Sequence, residues 1–177
     1  MRPNMKIPPF VPQIAVSTAV LLSSCGGSKD NRVVAGKYTI IDTLTDNADK
    51  TKAKRNALNT LSRYGDEVDA MVGLWAYNAP QCLDALKEHN LVGKVKVFSF
   101  DEDEATLQAI KDGEMEGTIV QNPYDFGYRS MEFLTKIAKG EPIEIPEDKM
   151  VEVPAREINA TNVDAFWEEL KAVSYTH

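Results

Sequence analysis

Three residues that suit ligand binding follow segments typical of buried β-strands. Trp75 comes directly after the β-branched and apolar segment 68–74, and Asp101 comes directly after the alternating segment 94–100. Gln121 stands at the end of a third such segment. An indole ring can cover the apolar face of a sugar, and carboxylate and carboxamide groups can pair with its hydroxyls. The three residues therefore predict a site for a small polyhydroxylated ligand.

Two further residues close to Trp75 join this candidate site. Tyr77 and Asn78 stand where the next predicted helix begins. Each has a simpler interpretation beside the functional one, since Asn78 is a typical helix cap and Trp75 could be an ordinary core aromatic. The ligand-binding interpretation requires that the strands preceding these residues end at the same edge of one sheet.

The order of predicted elements supports that requirement. Apolar residues at helical spacing favour helices over about 49–63 and 124–139, and further helices that start near 79, 103 and 161. Strands are predicted between them, over 37–44, 68–74, 94–100, 117–121 and 150–153. Strands that alternate with helices imply right-handed crossovers and a mostly parallel sheet. We expect an α/β fold, a three-layer α/β/α sandwich that binds ligands at the carboxyl ends of its strands.

Composition argues against several other functions. The 177 residues carry a net charge of −7, so the chain lacks the basic surface that nucleic acids require. It has only two histidines and none of the usual nucleophile, phosphate-loop or dinucleotide motifs. The acidic run 101–104 is better explained by the solvated start of a helix than by a metal site. We therefore expect a binding protein rather than an enzyme, with no metal and no cofactor.

The N-terminal region is typical of an export signal. Arg2 and Lys6 precede the short apolar run 14–22, which is too short to span a bilayer, and small residues lead to Cys25. We expect a signal peptide over 1–24, lipidation of Cys25, a flexible tether over 25–36 and a folded lobe over 37–177. A plain secretory signal or a buried helix would also explain the run. If Cys25 is lipidated, Cys82 has no disulfide partner, and its surroundings predict a packing role.

Several motifs together resemble periplasmic binding proteins of the ribose-binding type. The segment Phe98-Ser-Phe-Asp-Glu102 is similar to the Gly-Phe-Asp segment of that family, with Ser99 at the usual glycine. The segments Ala109-Ile-Lys-Asp-Gly113 and Gly117-Thr-Ile-Val-Gln-Asn-Pro-Tyr-Asp-Phe-Gly127 follow in the family's order. Upstream, residues 38–61 resemble its strand, Asp-rich turn and following helix. The resemblance extends from about residue 37 to the terminal helix.

The resemblance implies a function and a set of site residues. These proteins deliver sugars or similar solutes to the permeases of bacterial ABC importers, and many are lipoproteins, so it implies an exported, periplasmic or cell-surface protein anchored to the membrane. Asp101 and Gln121 match the family's ligand-binding aspartate and glutamine. Trp75 stands where many members have an asparagine, which leaves the identity of the ligand open.

The resemblance covers one lobe of a two-lobed clamp. It matches the C-terminal lobe in truncated form, without its opening strand and helix, together with the helix 124–139, which in the family belongs to the other lobe. Because one lobe cannot enclose a ligand, we expect this chain alone to bind its solute weakly or not at all. Two alternatives remain. One is a standalone α/β interaction domain that forms a homodimer, and the other is the effector lobe of a sugar-responsive repressor, which would require a DNA-binding headpiece.

Overall fold

The computed structural model describes residues 32–174, and the predicted signal peptide, Cys25 and the first part of the tether lie outside them. The central sheet has four strands in the order β3 (Ala70–Val72), β4 (Lys96–Phe100), β5 (Gly117–Val120) and β6 (Arg156–Asn159). The first three strands are parallel, and β6 pairs antiparallel with β5. The predicted α/β fold with a mostly parallel sheet is confirmed.

The first predicted strand does not join this sheet. Residues Tyr38–Ile40 form β2, which pairs only with β1, Val33–Ala35, in an antiparallel hairpin. All six residues of the hairpin are exposed. Part of the predicted tether is therefore a strand. The β-branched composition of 37–44 indicated extended structure correctly, but composition does not select the partner of a strand.

The last predicted strand is also misplaced. We expected it over 150–153, whereas β6 occupies Arg156–Asn159. This strand lies at the edge of the sheet, and Ile158 is its one fully buried residue. An edge strand with a single buried side chain has no apolar alternation, so its sequence does not stand out from that of a loop.

Within residues 32–174, five α-helices connect or follow the strands: α1 (Lys50–Tyr64), α2 (Asn78–Glu88), α3 (Glu104–Lys111), α4 (Pro123–Lys139) and α5 (Val163–Ser174). Asp46 and Asn47 precede the predicted start of α1 and are residue types that favour helix caps, so the sequence predicts the cap there. Asp49 is the cap instead, accepting a hydrogen bond from the Lys52 backbone N–H at 3.0 Å. Asp103 caps α3, in agreement with the expected start of that helix.

Helices α1, α2, α3 and α5 form the core together with one face of the sheet. Helix α1 packs on α2, α2 packs on β3 and β4, and α5 packs on α3 and β6. The strands direct alternate side chains into this core, and these are buried: Met71, Val97, Ser99, Thr118, Val120 and Ile158. The other alternate residues are less covered, and Val72 is 56% exposed. No helix within residues 32–174 is long and apolar enough to cross a membrane.

Candidate functional site

The carboxyl ends of β3, β4 and β5 meet at one edge of the sheet. Val72, the last residue of β3, pairs in register with Phe98, and Phe100, the last residue of β4, pairs with Ile119. Strand β4 therefore ends two residues beyond β3, and β5 ends one residue beyond β4. Neighbouring strands lie about 4.8 Å apart. The residues that follow these strands therefore lie close together at this edge of the sheet. We call the residues that follow them, 73–78, 101–103 and 121–122, the carboxyl edge.

Three of the predicted site residues lie along this edge. Trp75 is in the turn between β3 and α2 and is 68% exposed. Asp101 follows β4 directly and is half-buried, and Gln121 follows β5 directly and is exposed. The adjacent strands thus place residues with an aromatic ring, a carboxylate and a carboxamide at the same edge of the sheet. Their assignment to ligand binding stays a prediction.

Asp101 has an unusual backbone conformation. Its φ is +67°, a left-handed value that few residues other than glycine, asparagine and aspartate adopt. Two bonds hold it there: its N–H donates to the Ile119 carbonyl at 2.9 Å, and its carbonyl accepts from the Thr118 hydroxyl at 2.7 Å. The pKa of the next residue, Glu102, is raised by burial and by the nearby Asp101 carboxylate.

Close packing brings the end of β3 to the start of α2. Gly73 is buried, and its N–H extends the sheet by donating to the Phe98 carbonyl at 2.9 Å. A Cβ at this position would lie 2.4 Å from the backbone nitrogen of Ala79, so only glycine fits. This approach fixes the course of the turn that carries Trp75.

Tyr77 and Asn78 occupy the same turn but do not face solvent as Trp75 does. Both are half-buried, and both donate to the carboxylate of Asp46 at 2.6 Å. We predicted that Asn78 caps α2. Instead the helix begins at Asn78, and its side-chain oxygen accepts from the Trp75 N–H in the preceding turn at 3.0 Å.

Asp46 also belongs to this region, although the candidate site inferred from the sequence does not include it. The strand-end pattern does not select it, because β2, which precedes it, lies outside the central sheet. Its hydrogen bonds to Tyr77 and Asn78 bring it to the carboxyl edge, and no local sequence signal predicts them. The described residues otherwise contain no cluster of three or more His, Cys, Asp or Glu side chains that could hold a metal ion.

Comparison with known proteins places this geometry in a family. The periplasmic binding protein domain matches residues 26–142, which is more than half of the chain. The chain belongs to the periplasmic binding protein family. The predicted relationship to sugar-binding members of the ribose type is confirmed.

Characterised relatives agree with this assignment. The chain is 30% identical over 114 residues to the ribose import binding protein RbsB of Salmonella typhimurium, a match covering 63% of this chain and 37% of that protein. It is 31% identical over 120 residues to RbsB of Haemophilus influenzae, covering 66% of this chain and 40% of the relative. The matched part thus spans about two-fifths of the length of these relatives.

Solved structures share the fold. A carbohydrate transporter solute-binding protein from Agrobacterium radiobacter, in complex with D-arabinose, superposes with a TM-score of 0.55 at 26% identity, covering 66% of this chain and 38% of that one. AraP, an arabinose-binding protein from Geobacillus stearothermophilus, gives a TM-score of 0.56 at 26% identity, with coverages of 67% and 42%.

Proposed function

We propose that the carboxyl edge binds a sugar or a similar small polar solute, and that the chain is part of the solute-binding component of a bacterial ABC importer. The observation that carries the proposal is the succession of Trp75, Asp101 and Gln121 on three adjacent parallel strands, in a chain of this family. Relatives that bind arabinose and import ribose make a pentose the first ligand class to test.

The chemistry of the edge suits such a ligand. The exposed Trp75 ring offers a flat apolar surface to the C–H face of a sugar. The Asp101 carboxylate accepts hydrogen bonds from hydroxyls, and the Gln121 carboxamide both donates and accepts. We propose binding without chemical conversion and without a cofactor, because the relatives are binding proteins.

We further propose that the mature protein is exported and anchored to the membrane through a lipid on Cys25, and that it delivers its ligand to a permease. The proposal rests on the apolar run and small residues that precede Cys25 and on the periplasmic family of the chain. Mass spectrometry of the protein from a bacterial membrane fraction tests it. Cys25→Ser should abolish the lipid mass increment, whereas Cys82→Ser should leave it in place.

We propose that this chain alone holds its ligand weakly. Trp75 and Gln121 are exposed, so the described residues approach a ligand from one side, and enclosure contributes much of the affinity of a small-molecule site. Calorimetric titration of the purified chain with D-ribose and D-arabinose tests the affinity. Sub-micromolar binding would contradict this proposal.

Substitutions test whether the carboxyl edge is the site. We expect Trp75→Ala, Asp101→Asn and Gln121→Ala each to raise the dissociation constant for the sugar about fivefold or more, as read from the concentration dependence of sugar-induced chemical-shift changes, because each weakens a ligand contact worth about 1 kcal/mol. Gln108→Ala is the matched control, since Gln108 is exposed on α3 and does not lie at the carboxyl edge. Equal sugar binding by all four variants would exclude the carboxyl edge as the binding site.

A second candidate is a homodimer that buries α4. None of the residues of α4 is buried, and six large apolar side chains are exposed on it: Tyr124, Phe126, Tyr128, Met131, Leu134 and Ile137. Exposed apolar patches often mark contacts with other proteins. Size-exclusion chromatography with light scattering measures the mass directly, and a monomer at high concentration would contradict this candidate.

A further inference from the structure

The carboxylate of Asp46 joins two strand-end loops that are far apart in sequence. Its Oδ1 accepts from the Ala48 N–H at 2.9 Å and from the Tyr77 hydroxyl at 2.6 Å. Its Oδ2 accepts from the Asn78 side-chain nitrogen at 2.6 Å. Asp46 thus ties the segment after β2 to the turn between β3 and α2, across 31 and 32 residues of chain.

Asn78 carries this connection to the backbone of Trp75. Its side-chain oxygen accepts from the Trp75 N–H at 3.0 Å, and its own N–H donates to the Trp75 carbonyl at 2.8 Å. A carboxamide has one donor end and one acceptor end, so the bond to Trp75 obliges the nitrogen to face Asp46. Both ends of Asn78 are therefore used, and neither can be reversed without losing a bond.

The hydrogen bonds to Asp46 and the nearby charge of Lys52 favour its ionised form. The hydrogen bond from Tyr77 lowers the pKa of the Asp46 carboxyl most, burial opposes this, and the bonds from Ala48 and Asn78 and the charge of Lys52 lower it further. The same contact raises the pKa of the Tyr77 hydroxyl most, burial raises it further, and the charge of Asp49 contributes less. At neutral pH Asp46 is an acceptor only, which matches the three donors that it faces.

We propose that Asp46 is a positioning residue for Trp75. Through Asn78 it holds the turn from which the indole projects, without contacting the ligand itself. The consequence for sugar binding rests on the proposed function, whereas the order of the turn does not. The inference therefore has one readout that needs no ligand and one that does.

A reciprocal exchange of side chains tests the geometry in the full chain. Asp46→Asn keeps the oxygen that serves Tyr77 and Ala48 but turns a nitrogen toward the Asn78 nitrogen, and two donors cannot pair. Asn78→Asp alone sets two carboxylates against each other. The double variant Asp46→Asn, Asn78→Asp restores one donor and one acceptor at this contact and leaves an oxygen for the Trp75 N–H.

The ligand-free readout is the Trp75 backbone amide. We expect its hydrogen exchange, measured by NMR relative to the core Val97 amide, to rise about fivefold in Asp46→Asn and to return to the original rate in the double variant. In a Trp167→Phe background, where Trp75 is the only tryptophan, its fluorescence anisotropy should fall and recover in parallel. A uniform loss of stability would raise the hydrogen-exchange rates of the Trp75 and Val97 amides together, and the double variant would not restore them.

Tyr64→Phe is the matched control. The Tyr64 hydroxyl donates to Asp42 Oδ2 at 3.1 Å, a Tyr–Asp contact of the same kind that ties the same segment to α1 away from Trp75. It should leave the Trp75 exchange rate unchanged. If Asp46→Asn does not fold, Tyr77→Phe removes a single bond to Asp46 and should still raise that rate.

Two results would overturn the inference: Trp75 exchange and anisotropy that are unchanged in Asp46→Asn, or a double variant no better than the single one. Titration with D-ribose and D-arabinose separates this from the proposed function. If the unmodified chain binds neither sugar even weakly while the turn responds as described, the proposed sugar binding by this chain is wrong and the positioning role stands. If it binds, affinity should fall in Asp46→Asn, recover in the double variant and be unaffected by Tyr64→Phe.

Discussion

Helices α2 and α4 have similar amphipathic character and opposite surroundings. In α2 the apolar residues are buried, with Ala79, Ala85 and Leu86 fully covered. In α4 no residue is buried. The two helices are therefore stabilised in different ways. Helix α2 is stabilised by packing, whereas α4 depends on interactions within its own sequence.

The local interactions of α4 are complete from one end to the other. The Asn122 side chain caps its first turn, Pro123 occupies a position where proline fits, and Gly140 ends it in a left-handed conformation. Two ion pairs at a spacing of four residues, Arg129–Asp125 and Lys136–Glu132, support its exposed surface. Such terms are worth tenths of a kcal/mol to about 1 kcal/mol each, so α4 can form without burying its apolar side chains.

Removal of one leucine from each helix should give the largest contrast. Leu86 is 0% exposed, and Leu86→Ala leaves a cavity that should lower the free energy of unfolding by about 2–5 kcal/mol. Leu134 is 58% exposed, and Leu134→Ala should change it by less than about 0.5 kcal/mol. Urea denaturation followed by circular dichroism measures both values. A similar loss in the two variants would mean that α4 packs on something in solution.

Cysteine reactivity gives a second contrast. Burial raises the pKa of the Cys82 thiol in α2 to about 11. A cysteine introduced by Ser130→Cys on exposed α4 should keep an ordinary pKa near 8.5 and react with iodoacetamide at pH 8 about a hundredfold faster than Cys82. Peptide mapping after brief alkylation gives both rates, and equal rates would contradict the difference in burial.

The raised pKa also predicts how stability depends on pH. A thiol that ionises less readily in the folded than in the unfolded chain contributes stability that is complete below its unfolded pKa, near 9, and lost as the pH rises to about 11. Stability should therefore fall over that interval by more in the unmodified chain than in Cys82→Ala. An equal fall in the free energy of unfolding with pH in the two proteins would contradict the raised pKa of Cys82.

Alanine at two glycines should act in opposite directions. Gly73→Ala forces a Cβ against the Ala79 backbone and should lower the free energy of unfolding by about 1–3 kcal/mol. Gly127 lies within α4 with no atom within 4 Å of an added Cβ, so Gly127→Ala should stabilise that helix by about 0.5–1 kcal/mol. Thermal unfolding measures the first change, and the helical circular dichroism signal reports the second.

Periodicity and strand-end reasoning recovered much of the fold from sequence. The strands that end at Val72, Phe100 and Val120 and the helix Pro123–Lys139 were all expected close to where they occur. The exposed hairpin and β6 were not, because pairing partners and edge strands leave little trace in local composition. The role of Asp46 was missed for a related reason: its hydrogen-bond partners, Tyr77 and Asn78, lie more than thirty residues away.

The backbone of Asp101 has an entropic consequence for any ligand of the carboxyl edge. Main-chain and hydroxyl contacts to Ile119 and Thr118 hold this residue in a left-handed conformation before a ligand arrives. The Cα–Cβ bond of Asp101 therefore has a fixed direction, and only the side-chain torsions are left to be ordered on binding. A carboxylate on a backbone that is already ordered loses less freedom when it pairs with a ligand, so more of the interaction energy is retained as affinity.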